Sequence, residues 1–397
     1  MKVFLHFLLL VSARTAASAR GECNDAAVKA RLACYDREHG PACENLPIPA
    51  SAFGPETDQN KGYYIHTLRP GMYVVSETTY MSMVVVSELH DDRYEVAIFD
   101  FPEGNFVIRD DTGQVVGNLI TAAIDEIVFE MHGLEAGDIE KVQCVYSHAH
   151  FDHIGGATIA YDHIAENWGD LDIDIIAHEG TLAEFEERIE AGFFSNRAPL
   201  PTTVVDEERT FKVGRDFKYT LLPAMGHSDE KDLVVFFERD DAYPAVMMFA
   251  DIVFPGWAPF FSFALSTNLF HFLAVHDILL THFDLGEDGI FIGGHLTKTG
   301  TKADIQLSLD FTWAVLDGAM EGLRTVDFNA IAEDSGVLDT DSNNYGNKWL
   351  LFDKYFKAVN KVCAKQVVAE YGCKLAAIDM VIDSHCNFAN SFWRLDY

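Results

Sequence analysis

Along the chain, apolar residues fall into short blocks whose spacing changes from one block to the next. Met72 to Val75, Met81 to Glu88 and Tyr94 to Phe99 are β-branched or aromatic runs closed by turn residues, and each predicts a strand. Leu119 to Met131 carries apolar positions at helical spacing. Val142 to Ser147, rich in apolar residues, predicts a buried strand, and Ile154 to Trp168 predicts a helix. Ile173 to Ala177 then reads as strand and Leu182 to Glu190 as helix. Phe211 to Leu222, Leu233 to Glu238, Ala245 to Phe249 and Gly289 to Ile292 predict further strands, with a helix over Leu265 to Leu280 and another over Ala303 to Leu323. Strands interleaved with helices predict an α/β fold whose sheets are covered by helices.

The two ends follow other patterns. Met1 and Lys2 lead into an apolar run from Val3 to Val11, and small residues follow, ending in Ala17-Ser18-Ala19 before Arg20. A charged start, a short apolar core and an Ala-x-Ala site predict a signal peptide cleaved after Ala19, hence a secreted protein. The run is too short to span a bilayer. Residues 20 to about 65 are polar and cysteine-bearing and read as an extension stapled to the body. Tyr345 to Tyr397 is mostly helical in pattern and carries three Cys.

The chain has 7 Cys. An oxidising compartment favours three disulfides among Cys23, Cys34, Cys43, Cys363, Cys373 and Cys386, with the pairing left open. Cys144 lies in an apolar run and reads as a buried, inert thiol. Net charge is −33, and loss of Lys2 and Arg14 with the signal takes it to −35. So acidic a surface repels phosphate backbones and anionic membranes, which disfavours nucleic-acid partners and phosphodiester substrates.

The informative segment follows the buried strand: Ser147-His148-Ala149-His150-Phe151-Asp152-His153. Imidazole and carboxylate are the usual nitrogen and oxygen ligands of zinc, and four such groups in one compact loop make no sense in a core without partners. Three further residues stand at the ends of later apolar runs: His227, Asp251 and His295. Strand ends let a rigid scaffold aim ligands at one point.

The segment resembles the His-x-His-x-Asp-His signature of the metallo-β-lactamase superfamily, and His227, Asp251 and His295 match its later single-ligand motifs in order. Asp100 looks like the early family aspartate that closes a strand and supports the metal loop. The resemblance covers about residues 70 to 325 and implies a four-layer αββα sandwich with N- and C-terminal extensions. It divides the chain into a signal peptide at 1–19, an N-terminal extension at 20–65, a catalytic domain at 66–325 and a C-terminal extension at 326–397. It further implies that His148, His150 and His227 bind one metal, that Asp152, His153 and His295 bind a second, and that Asp251 bridges them. Zinc is the expected metal, two ions per chain, with iron and manganese as alternatives.

Charge then suggests a mechanism. Metal binding brings the pKa of a bound water to about 7, so a bridging hydroxide can attack a carbonyl carbon. Asp152 is expected to hold the second metal and orient that hydroxide. No Gly-x-Ser-x-Gly elbow suggests a serine nucleophile.

Among branches of the superfamily, the Asp-containing ligand set is most similar to lactonases and glyoxalase II. Those lactonases often carry a Tyr three residues after the bridging Asp, where this chain has Phe254. The spacing from His153 to His227 implies an inserted loop. Phe254, Trp257, Phe260 and Phe261 either wall a substrate pocket or pack the core, the alternative left open here, and Phe193 to Thr203 offers a loop that could close over the site or lie plainly on the surface. The expectation is a secreted hydrolase of an ester, lactone or other acyl bond in a small molecule with an apolar portion. β-Lactam, thioester and sulfate-ester hydrolysis are the alternatives within the fold, and a non-catalytic zinc-binding module is the alternative outside enzymes. His178 reads as a supporting or helix-start residue, and His271, His276 and His282 as structural. The oligomeric state is left open.

Overall fold

The computed structural model describes residues 23–36, 43–77, 79–103, 107–109, 111–169, 171–190, 198–228 and 232–394. The signal peptide and residues 193–197 of the suggested loop lie outside the described residues. The described residues form two compact units, one drawn from 53–255 and 266–306, the other from 1–52, 256–265 and 307–397. In chain order the helices are α1 (Ala26–Tyr35), α2 (Leu119–Asp125), α3 (Phe151–Ile154), α4 (Ala157–Asn167), α5 (Glu179–Glu190), α6 (Leu269–Thr281), α7 (Lys302–Thr325), α8 (Phe328–Asp334), α9 (Lys348–Tyr371) and α10 (Ile378–Trp393).

The larger unit holds two sheets. The first runs β1 (Tyr64–Arg69), β2 (Met72–Ser76), β3 (Met81–His90), β4 (Arg93–Phe99), β7 (Ile139–Val145), β8 (Asp172–His178) and β9 (Thr203–Val205). A separate hairpin is formed by β5 (Val107–Arg109) and β6 (Val115–Asn118). β7, β8 and β9 add to β4 in parallel, whereas β1 to β4 pair antiparallel. The second sheet is β10 (Arg209–Val213), β11 (Phe217–Ala224), β12 (Asp232–Phe237), β13 (Val246–Met248) and β14 (Ile290–Ile292) in that order.

Successive side chains on a strand point to opposite faces, so a strand with both faces covered is apolar throughout. In β3, Met83 and Val85 face the second sheet, where they join Phe99, Tyr219, Leu221, Val235 and Phe237 in one core. Val84 and Val86 face the other way, into a second core with Ile120 and Ile124 of α2, Ile164 of α4 and Phe185 of α5. On the far side of the second sheet, Phe236 of β12 stacks on Phe283 at 4.4 Å just beyond α6. The layers are therefore helix, sheet, sheet, helix, the expected αββα arrangement.

Three expectations need correction. Phe211 to Leu222 is a hairpin and not one strand: β10 and β11 pair antiparallel from Arg209↔Leu221 to Val213↔Phe217. The turn contains Gly214 at φ 54°, a conformation that glycine adopts without strain. Strand structure also begins before the expected start of the patterned region, at Tyr64. Finally, Leu265 is not helical in the ordinary sense, and α6 starts at Leu269 behind an Asn268 cap that accepts from the backbone N–H groups of Phe270 and His271.

In the smaller unit, disulfides join Cys23 to Cys373, Cys34 to Cys43 and Cys363 to Cys386, the last stapling α9 to α10. Cys144, in the larger unit, is free and buried, and burial pushes its thiol pKa up to about 12. Residues Ser262 to Leu265 form a left-handed turn, with φ between 51° and 62°. Its N–H groups find acceptors on α10: Ser262 N–H donates to Ser384 Oγ at 2.9 Å and Phe263 N–H to His385 Nδ1 at 2.9 Å. His385 must then carry its proton on Nε2, which donates to Pro259 O at 3.0 Å.

Candidate metal centre

The site lies in the larger unit, where strands of both sheets end together. β4 ends at Phe99, and Asp100 turns the chain at φ 63° while its N–H donates to Val145 O at 2.9 Å. Next to it β7 ends at Val145, and the chain runs through Ser147 and His148 to His150, which caps α3. Asp152 and His153 ride on α3. Asp100 ties the two ends of this loop: Oδ1 accepts from Ser147 N–H at 2.7 Å and Oδ2 lies 3.2 Å from His153 Nδ1.

The second sheet delivers the other three residues. His227 follows β11, and its turn is held by Asp232 at the start of β12, which accepts from the backbone N–H of His227 at 2.7 Å and from the Ser228 hydroxyl. Asp251 follows β13 at φ 64°, its N–H donating to Gly293 O at 3.2 Å. His295 follows β14 and Gly294. Gly294 sits at φ 82°, and a Cβ there would come within 2.9 Å of His153 Cε1, so only glycine lets the backbone pass.

All seven side chains converge. One potential ligand set is His148, His150, His227 and Asp251, the other Asp152, His153, Asp251 and His295, and within each set the donor atoms lie within 4.8 Å of one another. Asp251 Oδ2 is 3.4 Å from His148 Nε2, 3.3 Å from His227 Nε2 and 3.3 Å from His153 Nε2. Asp251 Oδ1 is 2.6 Å from His295 Nε2. His227 Nε2 is 2.7 Å from His150 Nδ1, and Asp152 Oδ2 is 3.7 Å from His295 Nε2.

Electrostatics separates the two sets. Burial pushes His148 down to about 3, the Asp251 carboxylate only partly opposing it, and lowers His150 and His227 as well, so these imidazoles are neutral and offer lone pairs. The close approach of His148 to Asp251 is thus a contact between a neutral ring and a carboxylate. Burial also works against charge on His153, but Asp251 and Asp100 outweigh it and raise its pKa well above the ordinary value. Asp251 is held well below the carboxylate range: burial opposes this, and His153 above all overcomes it.

The donor set fits divalent zinc. A tetrahedral ion with bonds of about 2.0–2.1 Å spaces its ligand atoms about 3.3–3.4 Å apart, which is the spacing of Asp251 Oδ2 from three of the imidazoles. His148 Nε2 and His227 Nδ1 are buried with no hydrogen-bond partner, a costly arrangement that a cation at the cluster relieves at the atom facing it.

Of the other expected residues, Phe254 lies against the cluster, its ring 5.3 Å from that of His295. Trp257, Phe260 and Phe261 belong to the smaller unit. There the Trp257 indole donates to Ala52 O at 3.0 Å, and Phe260 and Phe261 pack edge to face at 5.0 Å. His178 accepts from Gly180 N–H at 3.0 Å at the start of α5, as a helix-start residue does. His276 is buried and bonded to Phe272 O at 2.7 Å, and His282 pairs with Glu208 at 2.9 Å. Sequence reading missed Tyr80 and Asp232. Tyr80 bridges its strand to His295, far along the chain, so no local spacing announces it. An acid opening an otherwise apolar strand was the available signal for Asp232.

Residues 130–251 match the model of the beta-lactamase superfamily domain. Among solved structures, a beta-lactamase domain protein from Burkholderia ambifaria is 14% identical with a TM-score of 0.45, over 86% of this chain and 92% of that one. A subclass B3 metallo-β-lactamase of Bradyrhizobium japonicum is 15% identical with a TM-score of 0.38, over 62% of this chain and 80% of that one. No curated protein sequence matches significantly. The segment that matches the family model, residues 130–251, is a beta-lactamase superfamily domain and carries six of the seven converging side chains.

Proposed function

We propose that this chain is a secreted hydrolase that works with two zinc ions and cleaves an ester, lactone or related acyl bond in a small molecule with an apolar portion. The observation that carries the reading is the pair of ligand sets sharing Asp251. Zinc bound there supplies an acidified water and a Lewis acid for a carbonyl oxygen.

The chain's own groups do the rest. Burial keeps His148, His150 and His227 unprotonated, so they can ligate at neutral pH without first losing a proton. Asp100, facing Nδ1 of His153, fixes the proton there and turns Nε2 toward the cluster. Asp152 is the one carboxylate of the cluster open to solvent, its side chain 39% exposed, and it orients the attacking water. Phe254 supplies an apolar wall beside His295. Three disulfides support secretion, and no helix among the described residues is long and apolar enough to cross a membrane.

The test is metal analysis joined to a substrate panel of acyl lactones, aryl and alkyl esters, thioesters, a chromogenic β-lactam and an aryl sulfate. Two zinc ions per chain and turnover of lactones or esters, lost on chelation and restored by zinc, are expected. Fully metallated protein that hydrolyses no ester, lactone or thioester sinks the reading.

A further inference from the structure

Tyr80 stands beside the ligand cluster, its ring against those of His295 and His153. The Tyr80 ring lies 5.2 Å from that of His295 and 6.3 Å from that of His153, so with Phe254 it encloses His295 from two sides. The backbone that carries it is pinned: Met81 N–H donates to Gly294 O and Leu296 N–H to Thr79 O, each at 2.8 Å, and the Ser76 hydroxyl to Leu296 O at 2.6 Å. Other hydroxyls at the site are engaged, Ser147 Oγ at 2.9 Å from His148 Nδ1 and Ser228 Oγ on Asp232. The Tyr80 hydroxyl bonds to no described residue. The ring is half-buried, so its position is set while its polar tip stays available.

We propose that Tyr80 contacts the substrate, its hydroxyl donating a hydrogen bond to the alkoxy oxygen of the scissile ester or lactone. The assignment rests on the hydrolase reading above. Cleaving the acyl C–O bond leaves negative charge on that oxygen, and a donor fixed in advance is worth most where charge develops. The seven clustered side chains offer lone pairs and carboxylates, and none supplies an O–H for this purpose. A phenol keeps its proton at neutral pH and donates without ionising.

Tyr80→Phe keeps the ring over His295 and removes only the donor. The probes are ethyl hexanoate and S-ethyl thiohexanoate, which share an acyl group but differ in the leaving atom, since sulfur is a poor acceptor. With zinc-loaded protein, kcat/KM for the oxygen ester is expected to fall about tenfold or more, the usual worth of a hydrogen bond to developing charge. The thioester should stay within about twofold by the same reasoning. Zinc content and thermal midpoint should match the parent. Equal losses on both esters, no loss on the oxygen ester, or loss of zinc from the variant each overturn the assignment. If the zinc-loaded parent turns over neither probe nor any lactone, ester or thioester of the panel above, the hydrolase reading fails and Tyr80 with it; if it turns over panel substrates but neither probe, the Tyr80 assignment fails alone. If the parent turns over both and the variant matches it, only Tyr80 fails.

Discussion

A metal-ligating imidazole is useful only if its other nitrogen is fixed, and at His153 that task falls to Asp100. Its two oxygens hold Ser147 N–H and face His153 Nδ1, so one buried carboxylate sets both the loop and the ring. Asp100→Asn preserves volume and one acceptor but replaces the second acceptor oxygen with an NH2 donor. Losses of ten- to a hundredfold in metal affinity are typical for such supporting groups, and we expect that range for zinc in competition with a chromophoric chelator. Unchanged affinity would mean that Asp100 serves only the backbone turn. The seven converging residues were legible in the sequence because ligand types are chemically distinctive and four of them fall within six positions. Tyr80 was not legible, because a tyrosine becomes a site residue only through the pairing of distant backbone, which no local pattern encodes.

At the level of elements, the pattern succeeded where strands are buried on both faces, as in the centre of β3 and in β12, since a block of apolar residues of strand length has to be covered on both sides. It failed at the β10–β11 hairpin, where alternation continues across a short glycine turn, and at Ser262 to Leu265, where non-glycine residues adopt left-handed backbone. Such residues cost about 1–2 kcal/mol each, so the turn persists only because α10 receives its N–H groups. His385 is central to that support. Burial holds its pKa at about 3, against about 6.5 for a free histidine. Between those values the unfolded chain binds a proton that the folded chain refuses, so this contribution is complete above pH 6.5 and is lost as pH falls. Lowering pH from 6.5 to 5 should cost about 2 kcal/mol from this residue alone. His385→Gln keeps an acceptor for Phe263 and a donor for Pro259 without titrating. Urea unfolding across this range should therefore show a pH slope smaller by about one proton in the variant, and equal slopes would refute the role of His385.

For the molecule as a whole, the sequence announced three disulfides but not their pairing, which depends on where distant chain ends meet, as Cys23 and Cys373 do. Charge was fully legible and bears directly on substrate choice. With 62 acidic and 29 basic residues, the chain carries a net charge of −33. The two zinc ions of the proposed centre offset only a small part of it, so the protein as a whole repels an approaching anion. Field of this kind acts on encounter and is screened by salt over about 8–10 Å at physiological strength. A neutral acyl ester should then react at a rate indifferent to ionic strength, whereas an ester of the same acyl chain bearing a carboxylate should react slowly at low salt. Raising sodium chloride from about 10 to about 300 mM should increase kcat/KM for the charged ester several-fold, within the range of electrostatic steering, and leave the neutral one alone. If the charged ester is instead fast at low salt and slowed by sodium chloride, the local field of the metals and their imidazoles dominates the approach. The substrate would then be an anion, against the apolar preference drawn from Phe254 and the acidic chain.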